Sequence, residues 1–323
     1  MAYGASQIPR VSPVLSVPTL TLMSSAHWLA LSTLPGIGGV TARKLLERFG
    51  DIGSAFAASP DELTEIPRVT SAIAAQLLAA PIEALEAELL SLSDEGIDFL
   101  TWDDGRYPAH LRALADAPMT LFVRGTLKPD DARAAAIVGT RTPNETTVEV
   151  AATLGRELAA RGLTVVSGLA LGVDTAAHRG ALESGRTLAV LGSGIRFVHP
   201  KENEELAEQI VTRGALISEL HPNTPPRGPQ LMARDRIVSG LSRAVIVVEA
   251  GIKSGSLDTA AKANKQRRLV FAVPGSEGCE QLLAGGARRL DPGALDFDTL
   301  AEEIMRLPLS DQADAPPSQA SLF

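Results

Sequence analysis

The sequence predicts an α/β protein: a Rossmann-like, doubly wound, mostly parallel sheet preceded by a small all-helical domain. Three observations carry that prediction. Six short apolar runs, Ala134–Val138, Leu163–Val166, Thr187–Leu191, Ala215–Ile217, Ala244–Val248 and Leu269–Val273, are continuous rather than alternating, as strands buried on both faces are. Gly-rich turns and helical segments separate most of them, and strand–helix alternation of this kind winds into a parallel sheet with right-handed crossovers. Ahead of them, residues 24–92 hold only Ala- and Leu-rich segments at helical spacing, broken by short Gly and Pro turns.

Taken in order, residues 1–22 are expected to be disordered. Pro9, Pro13 and Pro18 break their apolar stretch, which also argues against a signal peptide, and Met23 is a candidate start. Residues 23–95 read as a helix-hairpin-helix (SAM-like) domain. In Leu34-Pro35-Gly36-Ile37-Gly38 the glycines can bring backbone amides close to a DNA phosphate, although packing alone is the default role of such a domain. Ile66-Pro67-Arg68-Val69 looks like a second copy that has lost its glycines. Residues 96–130 read as linker strands, 131–308 as the Rossmann-like domain and 309–323 as a disordered acidic tail.

Composition narrows the class. At 323 residues and 45% apolar, the chain has room for about two domains. Cys279 is the only cysteine, which excludes a disulfide framework and a zinc site of Cys pairs and fits a reducing cytoplasm. No apolar run reaches the roughly 20 residues of a membrane-spanning helix. The net charge of −8 is uneven: residues 1–128 carry 9 Lys/Arg against 14 Asp/Glu, residues 129–290 carry 20 against 17, and residues 291–323 carry 1 against 7. The acidity lies at the ends, so a basic pocket in the middle remains compatible with nucleic acid.

In such sheets ligands bind at the carboxyl ends of the strands, where loops enter helix N-termini. Four loops there carry unusual residues: Gly139-Thr140-Arg141; Ser167-Gly168 running on to Asp174 and His178; Gly192-Ser193-Gly194, followed by Lys201 and Asn203; and Lys253-Ser254-Gly255-Ser256. Glycines let amides face an anion while Arg141, Lys201 and Lys253 add charge. Neither Gly-x-Gly-x-x-Gly nor Gly-Lys-Ser/Thr occurs, which disfavours a dinucleotide dehydrogenase or an NTPase; no cofactor or metal is expected. His178, one turn after Asp174, is either half of an acid/base couple or a packing residue, and packing is the simpler reading.

The order of seven segments gives more than any one of them. Val138-Gly139-Thr140-Arg141, Ser167-Gly168-Leu169-Ala170 through Gly172-Val173-Asp174, Ala189–Gly192, Pro200–Asn203, Arg234-Asp235-Arg236-Ile237, Val248-Glu249-Ala250 with Ser254-Gly255-Ser256, and Phe271–Gly275 together resemble the DNA-processing protein A (Smf/DprA) family over residues 24–290. The resemblance implies a single-stranded-DNA-binding protein, not an enzyme, that loads the recombinase RecA during natural transformation or recombination, acts against single-strand-binding protein, and forms a homodimer. It assigns the pocket arginine to Arg141, the pocket lysine to Lys201 and a pair of arginines to Arg234 and Arg236. With these, Gly139, Thr140, Ser167, Gly168, Asn203, Ser254 and Gly255 make up the expected DNA site.

Three departures stand out. Asp235 replaces the family's Asn between two arginines, where it either aligns one by pairing or weakens binding; Leu231-Met232 replaces Phe-Pro; and only 13 residues, Asp311–Phe323, follow Ser310, too few for the winged helix of many members. The alternative is a small-molecule nucleotide enzyme or sensor, since Glu249 stands near a glutamate of lysine-decarboxylase-like relatives that cleave N-glycosidic bonds. The pairs Arg267-Arg268 and Arg288-Arg289 read as solvated surface or as an extension of a DNA track. Gln319, Leu322 and Phe323 end the tail in the spacing of a sliding-clamp-binding peptide, two apolar anchors and a hydrogen-bonding glutamine.

Overall fold

The computed structural model describes residues 19–309. The six predicted runs are strands, their ends displaced by at most one residue, and they belong to one sheet of nine. In chain order these are β1 (Ile97–Thr101), β2 (Thr120–Gly125), β3 (Ala134–Val138), β4 (Thr164–Ser167), β5 (Thr187–Val190), β6 (Ala215–Ser218), β7 (Ala244–Val247), β8 (Leu269–Ala272) and β9 (Arg288–Arg289). The spatial order is β1-β2-β6-β5-β4-β3-β7-β8-β9. All pairs from β6 to β9 are parallel, and β1–β2 and β2–β6 are antiparallel. The chain winds outward from β3 to β6, then returns beside β3 with β7, so the winding reverses between β3 and β7. That reversal opens the crevice where such sheets hold their ligands.

Continuous burial hides a period of two. Ala134, Ala136 and Val138 pack with Val245 and Val247 on one face, while Ala135 and Ile137 pack with Ala244 and Ile246 on the other. The second face is covered by the helices Glu145–Ala160, Val173–Ser184 and Phe297–Arg306. The helix pair crosses at glycines: a Cβ on Gly180 would sit 2.0 Å from the carbonyl oxygen of Ala152.

The first face continues into the N-terminal helices. Trp28 and Trp102 meet edge to face at 5.6 Å within one core that also holds Leu45, Leu63 and Leu77. Trp102 Nε1 and the Tyr107 hydroxyl both donate to the Pro118 carbonyl, at 2.7 and 2.6 Å. Arg43 lies over the Trp102 ring at 4.6 Å and donates to the Leu114 carbonyl at 2.9 Å.

Three expectations need correction. The helix Thr19–Thr33 starts before Met23, so residues 19–22 are helical, and Leu22 packs against the Ala26–Leu29 cluster. Residues 1–18 and 310–323 lie outside the described residues. The strands read as a linker are structural: β2 pairs with β6 from Phe122↔Ser218 to Gly125↔Ala215 and extends the sheet. Arg268 is buried, donating to the Leu309 carbonyl at 3.1 Å, so it is neither solvated charge nor DNA track.

The two hairpins of the helical domain are alike in backbone. Gly36 has φ +79° and Arg68, at the equivalent place, φ +77°. The Ile37 and Val69 amides donate to the Leu34 and Ile66 carbonyls at 3.3 and 3.0 Å.

Candidate functional site

At the reversal between β3 and β7 lies an open cleft of about 440 Å³. The loop after β3 supplies Gly139, Thr140, Arg141 and Thr142, and the loop after β4 supplies Gly168 and Ala170. Lys253, Ser254, Gly255 and Ser256 close the far side, at the first turn of the helix Gly255–Lys265. That turn is capped by no side chain, because Ser254 Oγ is engaged with Ser256 Oγ at 2.8 Å. The Ser254 and Leu257 amides bond to the Gly251 and Ser254 carbonyls, which leaves those of Gly255 and Ser256 without a partner among the described residues, at the positive end of the helix lining the cleft. Arg141 and Lys253 are exposed on its walls, and neither forms an ion pair among the described residues.

The base of the cleft is a buried charge cluster. Arg234 donates from Nη1 to the Val190 carbonyl and pairs through Nε with Asp235 Oδ1 at 3.1 Å. Gly168 makes room for it, since a Cβ there would lie 2.0 Å from Arg234 Nη1. Asp174 Oδ2 accepts from the amides of Gly168 and Ala170 at 3.0 and 3.3 Å, fixing the loop after β4. Burial pushes the Asp174 carboxyl up, against the pull of Arg234. Burial likewise raises Asp235 to about 6, opposed by Arg234 and Lys262 and reinforced by Asp174 and Asp258. With two carboxyl groups beside one guanidinium, the base offers little net positive charge. Attraction for an anion rests on Arg141, Lys253 and the helix terminus.

The structure thus brings together Gly139, Thr140, Arg141, Gly168, Arg234, Ser254 and Gly255. Four expected residues stand elsewhere. Ser167 is buried and donates to the Ile137 carbonyl at 2.6 Å, tying β4 to β3. Asn203 is buried, its Nδ2 donating to the Leu169 carbonyl at 2.9 Å and Thr175 Oγ1 at 2.8 Å, so it anchors the loop and does not touch the cleft. Lys201 is exposed on the turn Lys201–Asn203 that Asn203 anchors and is not among the residues lining the cleft.

Arg236 points the other way. It grips Glu219 with two bonds of 2.6 and 2.5 Å, donates to the Asp116 carbonyl at 3.0 Å, and lines a separate cleft of about 350 Å³ beside Gly38 and Arg68. Residues two apart on a helical stretch do not share a face, and a charge already chelated by glutamate has little left for phosphate.

Sequence reasoning missed Thr259, which lines the cleft one helical turn after Ser256, and Asp174 as its loop brace. The i, i+3 spacing behind Ser254 was the available signal. His178 is no partner of Asp174: its Nδ1 meets Thr187 Oγ1 at 2.7 Å, and burial lowers its pKa to about 3. Glu249 accepts from Thr147 Oγ1 at 2.6 Å and lies outside the cleft lining. Arg288 and Arg289 pair with Glu303 and Asp291.

The fold is that of a doubly wound, Rossmann-like protein, and its reversal crevice brings two cations without ion pairs among the described residues to an uncapped helix terminus, a setting suited to an anion. Within that class, the family model for DNA recombination-mediator protein A matches residues 98–303, and the chain belongs to that family. A model for SAM-like helix-hairpin-helix tandems matches residues 29–80. The chain is 34% identical to protein Smf of Synechocystis over 303 residues, covering 89% of this chain and 74% of that protein. It covers 59% and 64% of the relatives from Escherichia coli and Bacillus subtilis. The crystal structure of DNA processing protein A from Streptococcus pneumoniae superposes with a TM-score of 0.73 at 31% identity, over 87% of this chain and 97% of that one. A structure of the Helicobacter pylori protein, described by its single-stranded-DNA binding mode, matches with a TM-score of 0.58 at 31% identity, over 65% and 96%. The named relatives are DNA-processing proteins.

Proposed function

We propose that this chain binds single-stranded DNA in the cleft between β3 and β7 and hands it to the recombinase RecA. The carrying observation is that Arg141 and Lys253, both exposed and without an ion pair among the described residues, line one cleft together with a helix N-terminus that no side chain caps. Phosphates suit that arrangement, and an open cleft lets a strand run through where a closed pocket would hold a mononucleotide. Lys201, exposed on the turn that Asn203 ties to the loop after β4, extends the phosphate track, while Arg234 supports the cleft from below. The protein acts as a homodimer in the cytoplasm, during DNA uptake or recombination, on DNA otherwise covered by single-strand-binding protein.

Titration with labelled oligo-dT, competed by mononucleotides, tests the first step. Arg141→Ala and Lys253→Ala should each weaken oligo-dT binding without lowering Tm, and each should reduce the salt slope by roughly 0.7. Unchanged affinity and slope in both variants would remove the cleft from the DNA path. RecA filament assembly on protein-coated single strands, with and without this protein, tests the second step. The tail residues Gln319, Leu322 and Phe323 lie outside the described residues; we read their sequence as a sliding-clamp ligand. A labelled peptide spanning residues 311–323 should bind purified clamp, and Leu322→Ala with Phe323→Ala should abolish it.

A further inference from the structure

The cleft contains a carboxylate that a purely phosphate-binding site does not need. Asp235 lines it with a side chain 13% exposed, and its recorded partner is Arg234 Nε, which takes Oδ1. Oδ2 has no hydrogen-bond partner among the described residues. The charged groups around it are Arg234, Lys262, Asp174 and Asp258. Asp174 is occupied by the amides of Gly168 and Ala170, and Lys262 by Asp258 at 2.5 Å. Asp235 thus lines the cleft with one carboxylate oxygen that has no hydrogen-bond partner among the described residues, and it is not tied to a loop amide as Asp174 is. Its backbone is fixed in the helix Asp235–Gly240, and its Oδ1 contact sets the side-chain rotamer.

An ionised carboxylate only accepts hydrogen bonds, which decides the base edge it can meet. Guanine presents two adjacent donors, N1–H and the 2-amino group. Thymine sets its single N–H between two carbonyl oxygens that repel a carboxylate. Adenine and cytosine place a ring-nitrogen acceptor beside their amino group. An anion on a strand-binding surface costs affinity for every phosphate nearby, so its presence is coherent where a donor-rich base repays it. Exposed Met232 lines the cleft beside Leu231 and supplies apolar surface for a base to lie on.

We infer that Asp235 is a specificity-determining residue: it selects guanine at one position of the bound strand by accepting from N1–H and the 2-amino group. This rests on the cleft being the DNA site, and the experiment separates the two. Anisotropy competition would compare oligo-dT with oligo-dT carrying one deoxyguanosine, deoxyinosine, deoxyadenosine or deoxycytidine, scanned along the strand. The wild-type protein should favour the deoxyguanosine strand about tenfold at its best position, the size of one two-donor base contact. Deoxyinosine, lacking the 2-amino group, should lose most of that advantage. Asp235→Asn, which keeps the shape of the side chain beside Arg234, and Asp235→Ser should both lose the guanine advantage, read as the ratio of deoxyguanosine-strand to oligo-dT affinity within each variant so that any change in overall affinity or stability cancels. In the wild type the advantage should fade below about pH 6, where burial leaves the carboxyl protonated, and a merely structural Asp235 would show no such profile. Equal binding of all substituted strands, a preference for adenine or cytosine, or a guanine advantage surviving in both variants would overturn the inference while leaving the cleft as the DNA site. Failure of every strand to bind would overturn both.

Discussion

Asp235 and Arg234 behave as one unit, and their coupling to pH has a definite sign. The folded state raises the Asp235 carboxyl from an ordinary 3.8 to about 6. Between those values the folded protein holds a proton that the unfolded chain has released. The associated stability is fully present below about pH 4 and is lost as pH rises through about 6, a contribution on the order of 2–3 kcal/mol. Urea unfolding of wild type and Asp235→Asn between pH 4.5 and 7.5 should therefore show the wild type losing stability relative to the variant as pH increases. Affinity for oligo-dT should move the same way, tightening in the wild type as pH falls through about 6 and staying flatter in the variant. Parallel curves for the two proteins would place the titration elsewhere.

Among the elements, the two helical hairpins give the sharpest contrast. Gly36 and Arg68 share a left-handed backbone, but only glycine adopts it without strain. No atom lies within 4 Å of a Cβ built on Gly36, so backbone strain alone penalises Gly36→Ala. Thermal melts should show Gly36→Ala losing about 1 kcal/mol and Arg68→Gly gaining a similar amount. The same pair shows what was legible. Pro67 and the helical spacing after it revealed the second hairpin, while the absent glycine disguised how closely its backbone follows the first. The six central strands were legible because continuous apolar runs have few other uses, whereas β9 was not, being two exposed arginines that pair with β8. Of the site, the glycine loops announced themselves. The divergence of Arg234 and Arg236 did not, because it depends on Glu219 at the end of β6, which no local pattern connects to them.

Across the whole molecule, the antiparallel pair β1–β2 changes what counts as a unit. A boundary placed by composition near residue 130 would cut between β2 and β3, yet β2 carries four residues of register with β6. β6 is Ala215-Leu216-Ile217-Ser218, buried throughout, with no charge or proline to discourage a stranger. Released from β2, it would present a bare row of amides and carbonyls along an apolar ribbon, the template on which chains stack edge to edge. A fragment starting at Pro129 should scatter light and precipitate at micromolar concentration, while one starting at Ile97 should stay clear for longer. The two short strands act as a selvedge: they keep the sheet from fraying into its neighbours, and that protection against aggregation belongs to a segment that touches neither the cleft nor its ligand.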